Sequence, residues 1–176
     1  MKATGFLALV FVVGFLRASM MLGEQPGAGA GAEKAVAAVL DDWHATAAAA
    51  DEERYFSHFA PGGVFLGTDA TERWTVEEFR RYAHPYFAKG KAWSFRAVSR
   101  HVAFSPDGSV AWFDEALDTP NLGPARGSGV LVRSAGAAGK EPAWKIAHYD
   151  LSVPIPNDLM SEVKKRIEDD RKKPAS

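Results

Sequence analysis

The chain has 176 residues, 47% of them hydrophobic and 24% charged, which sets the scale of one globular domain with a real core. Its 21 basic and 22 acidic residues give a formal net charge of −1 with no basic patch or stripe, so the electrostatic footprint of a nucleic-acid binder is missing. The sequence has no cysteine, which excludes disulfides, thiolate catalysis, thiolate metal sites and a lipid-anchored cysteine.

Lys2 followed by the apolar run Gly5 to Leu16 predicts a signal peptide or N-terminal anchor over residues 1–22. The run is shorter than the roughly 20 apolar residues that span a bilayer, and no other segment calls for a membrane. The expected location is therefore outside the cytoplasm, periplasmic or secreted, with a tether if the segment stays uncleaved. Residues 23–32, rich in Gly and Ala with Pro26, read as a flexible linker.

The folded domain is expected over residues 33–157. Val36, Val39, Leu40, Trp43 and Ala47 recur at helical spacing on one face. Asp51 is placed to cap a second, short helix carrying Tyr55, Phe56 and Phe59, which Pro61-Gly62-Gly63 should stop. Val64 to Leu66 then reads as a strand. Thr75 and Glu78 have capping-box spacing and open a third helix with Val76, Phe79, Ala83 and Phe87 as its apolar face. Pro85 predicts a kink or an early end to that helix. Beyond Gly90 the period changes from helical to alternating, giving strands over 93–104, 109–117, 126–133 and 143–153. Pro154 and Pro156 end the last strand. Asn157 can cap a final helix within residues 158–176, a segment that ends in a charged tail. Helices followed by long strands predict an α+β fold with a mainly antiparallel sheet.

Alternation along the strands sorts the side chains into two faces. Trp112 and Asp114 share one face of their strand, Arg126, Ser128 and Val130 one face of the next, and Trp144, Ile146, His148 and Asp150 one face of the last. The opposite faces, with Phe113, Glu115, Leu117, Leu131, Tyr149 and Leu151, read as mostly apolar. A face that mixes aromatic and polar groups is what a lined cavity requires, so Trp112, Asp114, Arg126, Ser128, His148 and Asp150 are the expected wall. Trp43 and Tyr55 are expected to line the interior, and Thr68, Asp69, Glu72 and Trp74 to form the lip.

The order of elements resembles the nuclear-transport-factor-two-like superfamily, and within it the SnoaL-like domains. The resemblance is carried by Val64 to Asp69 with Glu72-Arg73-Trp74, Ala111 to Glu115, Arg126 to Val130, and Trp144 to Ser152. It implies a cone-shaped barrel in which N-terminal helices pack on a curved sheet, commonly in a homodimer. It implies no single reaction, since one fold of this kind hosts many activities.

Three functions are open to such a chain. The first is a binding domain for a small, amphipathic or carbonyl-bearing ligand. The second is an isomerase, lyase or cyclase with Asp114 or His148 as general base and Arg126 or Tyr55 stabilising negative charge. The third is a protein-interaction domain that docks through the apolar sheet face. No cofactor is implied. The five histidines are scattered without metal-ligand spacing, so no metal is expected.

Overall fold

The structure is a computed structural model and describes residues 29–134 and 142–172. The expected signal segment and the turn between the last two strands therefore lie outside the described residues. Helix α1 (Ala30–Ala48) already includes the last residues of the expected linker. Val36, Leu40, Trp43 and Ala47 are buried along one side of it, as their spacing predicts. Asp51 caps α2 (Glu52–Ser57) through its side chain, which accepts from the Arg54 backbone N–H at 3.2 Å.

Strand β1 (Phe59–Leu66) begins earlier than its composition suggests and runs through Pro61-Gly62-Gly63. The chain tolerates these breakers because its pairing with the last strand is irregular between Phe59 and Val64, so no ladder donor is required of Pro61. The following loop leads to a short strand, β2 (Arg73–Thr75), where the sequence suggested only a loop. Both halves of the Thr75–Glu78 capping box form at the start of α3 (Val76–Phe87). Pro85 does not end α3, which continues to Phe87. Proline removes one donor near the C-terminal end, where only one backbone bond is forfeited.

Four long strands complete the sheet: β3 (Arg96–Phe104), β4 (Val110–Thr119), β5 (Gly123–Ser134) and β6 (Ala143–Ser152). The strand order is β2-β1-β6-β5-β4-β3, antiparallel throughout except for the parallel β1–β6 pair. The curved sheet does not close, since β2 and β3 remain as edges. Helices α1 and α3 pack on one side of it, here called the inner face. A 3₁₀ turn (Asn157–Leu159) and α4 (Met160–Arg171) follow. Asn157 does not cap α4 with its side chain, and no residue of α4 is buried.

The core lies between helices and inner face. It joins Leu40, Trp43, Tyr55, Phe56 and Phe79 from the helices to Phe65, Phe113, Leu131, Ile146 and Tyr149 from the sheet. Register places Phe113 opposite Gly129 and Gly129 opposite Tyr149, so these three share the inner face. The same register puts Asp114, Ser128 and Asp150 together on the outer face.

Candidate functional site

The helices and the inner face enclose a cavity of about 280 Å³ that opens beside α3. Trp43 and His44 reach it from α1, Tyr55 from α2, and Phe79, Tyr82 and Tyr86 from α3. The sheet contributes Phe65, Trp74, Tyr149 and Leu151, while Thr68 and Glu72 edge it from the β1–β2 loop. Its size falls just below the roughly 300–1,000 Å³ of ligand pockets, which suits a small guest.

Several rings in the wall are nearly parallel. Phe65 stacks on Phe79 at 3.9 Å and 12°, and Trp74 lies within 5° of the Phe79 plane at 5.7 Å. Tyr82 continues the series on Trp74 at 4.7 Å, and Phe65 is within 8° of Tyr149. The wall thus runs from the deep core to the half-exposed Tyr82 as a stack of similarly oriented rings. Because Phe65 and Phe79, and Trp74 and Tyr82, cover one another's faces, an inserted flat ring meets mainly ring edges, the T-shaped contact that aromatic pairs also favour.

At the inner end is a buried polar cluster centred on Glu115, 1% exposed on the inner face of β4. Its Oε1 lies 2.8 Å from His44 Nε2 and accepts from the Tyr149 hydroxyl at 3.1 Å. Its Oε2 accepts from Arg100 Nε at 2.8 Å, with Nη2 at 2.7 Å in an ion contact outside hydrogen-bond alignment. Arg100 Nη1 in turn donates to Asp41 Oδ1 at 2.8 Å and to the Ala37 carbonyl at 3.2 Å, tying β3 to α1. Burial raises the Glu115 carboxyl, but the hydrogen bond from His44, with the Arg100 guanidinium beside it, outweighs that and holds it below the ordinary value. Glu115 is therefore an anion, able only to accept. The Tyr149 phenol is pushed well up by burial and then by the neighbouring Glu115 charge.

Glycine makes this cluster possible. A Cβ at Gly127 would run into Tyr149 Oη and Glu115 Oε1, and one at Gly129 into the His148 carbonyl and the Phe113 ring. Tyr149 thus reaches from β6 to the β4 carboxylate across a gap in β5 that only glycine leaves. Two further buried groups, Trp43 Nε1 and Tyr55 Oη, have no protein hydrogen-bond partner among the described residues. Burial pushes the Tyr55 phenol well up, opposed by a Trp93 contact that falls short of hydrogen-bond geometry.

The expected wall is on the other side of the sheet. Trp112 is 49% exposed, and Asp114 pairs with His101 Nδ1 on β3 at 3.1 Å. Arg126 is exposed, and Ser128, His148 and Asp150 are half-buried on the outer face. One bulge explains part of this placement. Val130 pairs with His148 but Leu131 with Ile146, so Ala147 is an extra residue in β6. Strict alternation would join Trp144 and Ile146 to His148 and Asp150; the bulge reverses the parity and sends the first two inward.

Of the other expected residues, Trp43, Tyr55, Thr68, Glu72 and Trp74 do line the cavity. Asp69 does not, and serves its own turn by accepting from the Thr71 N–H and hydroxyl at 2.8 and 2.6 Å. His44, Arg100, Glu115 and Tyr149 were the residues sequence reasoning passed over. The available signal was Glu115 itself, a carboxylate between Phe113 and Leu117 on an otherwise apolar face. Among the described residues no three His, Asp or Glu side chains are placed to hold a metal ion.

A family model described as a SnoaL-like domain matches residues 36–156. No curated protein matches the chain. Among solved structures, an NTF2-like protein of unknown function from Pseudomonas putida KT2440 aligns with a TM-score of 0.59 at 14% identity, covering 73% of this chain and 91% of the other. A protein of the NTF2-like family provisionally named a dehydratase, from Streptomyces avermitilis, aligns at 0.56 and 16% identity over 70% and 96%. One provisionally named a ketosteroid isomerase, from Parabacteroides distasonis, aligns at 0.53 and 14% over 69% and 86%. At these identities the likeness concerns the fold.

Proposed function

The chain belongs to the SnoaL-like domain family, and from that membership we propose that its cavity binds a small, flat, mostly apolar molecule. The observation that carries this reading is the run of near-parallel rings from Phe65 and Phe79 through Trp74 to Tyr82 along the cavity wall. Apolar rings bring a large burial gain, and their aligned edges favour the face of a planar aromatic guest in T-shaped contact.

Equilibrium dialysis with naphthalene tests it. Wild-type protein is expected to take up the probe, and Leu151→Trp, which puts an indole into the cavity, to lose it while keeping its circular dichroism. Equal uptake by both would overturn the proposal, as would none by the wild type.

A second reading, an isomerase- or lyase-type enzyme, draws its support from the two provisionally named fold neighbours. It needs a proton-transfer group in the cavity wall, which Asp114 and His148 do not supply from the outer face. The apolar sheet face expected to dock a partner is buried beneath the helices at Phe113, Leu131 and Tyr149, so the homodimer that the same family membership supports is assigned to the exposed Trp112 and Val98 side of the sheet. Sedimentation of wild type and Trp112→Asp checks it, and a monomer in both would end the idea. Residues 1–22 support export, which cell fractionation reads directly.

A further inference from the structure

His44 has two ring nitrogens and only one protein partner. Its Nε2 faces Glu115 Oε1 at 2.8 Å, and its Nδ1 makes no hydrogen bond among the described residues. The imidazole is 6% exposed, lines the cavity, and is otherwise surrounded by rings: Trp43 at 5.1 Å, Phe95 at 6.0 Å and Tyr149 at 6.4 Å.

Glu115 decides what the free nitrogen offers. A carboxylate already accepting from Tyr149 and Arg100 can meet Nε2 only if that nitrogen carries its proton. In the neutral imidazole the lone pair is then confined to Nδ1, because the hydrogen bond at one nitrogen sets the state of the other. Arg100 and Asp41 anchor Glu115 in turn, so the acceptor is held from α1 and from two strands. An acceptor in an aromatic wall recognises a ligand that brings a donor to it.

We propose that His44 Nδ1 is the hydrogen-bond and proton acceptor for the hydroxyl of a hydroxylated planar aromatic ligand, with Glu115 as the positioning residue. The inference rests on the cavity-binding reading above and adds the chemical class of the ligand. When the hydroxyl is acidic enough, its O–H bond breaks, the oxygen keeps the electron pair and the proton forms Nδ1–H.

Two probes of matched shape, 2-naphthol and 2-methoxynaphthalene, separate the outcomes by calorimetry. The naphthol carries a donor and the methyl ether does not. Wild-type protein is expected to prefer the naphthol by about tenfold, the factor one well-made hydrogen bond supplies. His44→Phe is expected to bind both nearly equally. Equal binding of both probes by wild type would overturn this inference and leave the cavity reading intact. Binding of neither would remove both.

Because His44→Phe strips a buried carboxylate of a partner, a second arm uses the wild-type side chain. Nitrogen-15 shifts of His44 are expected to show the proton on Nε2 and to move when 2-naphthol, but not its ether, is added. A proton found on Nδ1 would overturn the proposal. In Glu115→Gln the amide can accept from Nε2 or donate to it, so the proton should no longer be confined to Nε2 and the naphthol preference should fall several-fold. An unchanged tautomer there would remove Glu115 from its positioning role.

Discussion

Asp114 and Glu115 are consecutive carboxylates on one strand, and the sheet separates their fates completely. Asp114 points outward, with a single histidine neighbour on an exposed surface. Glu115 points inward, is shielded from water, and is met by His44, Tyr149 and Arg100. A one-residue step along β4 thus converts a surface charge into the centre of a buried network. The lesson extends to the whole sheet: its outer face keeps polar side chains because water solvates them, while each polar group on the inner face must be supplied with partners by the fold.

The sharpest way to break this contrast is to remove the inner carboxylate. Glu115→Ala leaves Arg100 buried beside an unfilled space and should cost about 3–5 kcal/mol in chemical denaturation, as for other broken buried ion pairs. Tyr149→Phe deletes one hydrogen bond to a charged acceptor and should cost about 1.5–3 kcal/mol by the same measurement. Gly127→Ala pushes a methyl into Tyr149 and Glu115, and overpacking of this kind should cost about 1–3 kcal/mol. Its diagnostic is that the cost shrinks when combined with Tyr149→Phe, which removes the atom it strikes. Asp114→Asn, the outer counterpart, should stay within about 0.5 kcal/mol and leave probe binding unchanged.

Acid titration reads the inner carboxylate through its proton linkage. The Glu115 carboxyl is lowered from an ordinary value of 4.5, so the folded state binds its proton less readily than the unfolded chain. Its stabilisation is therefore complete above pH 4.5 and is lost as pH falls below that toward its folded value. The groups facing it are His44, Tyr149 and Arg100, with Asp41 behind Arg100. Denaturation midpoints measured downward from pH 5 should fall less steeply in Glu115→Gln than in wild type, and parallel curves would contradict the assignment. Asp107 gives a contrast on the surface: hydrogen bonds from Ser105 and Ser109 hold it at about 2, so its NMR titration should be confined to the hairpin turn.

The sequence alone was enough for the fold class, the three main helices, the four long strands and the Thr75–Glu78 cap, because periodicity and capping are local properties of the chain. It also placed Trp43, Tyr55, Thr68, Glu72 and Trp74 around the cavity, through helix faces and a loop lying close in sequence to the elements they join. The tertiary structure decided which sheet face is interior. Alternation divides a strand into two sides without saying which side the helices cover, and the extra residue at Ala147 exchanges those sides partway along β6. The inner cluster lay beyond local reading for the same reason. His44, Arg100, Glu115 and Tyr149 come from one helix and three strands, and they form a site only where the glycines of β5 let Tyr149 cross to Glu115.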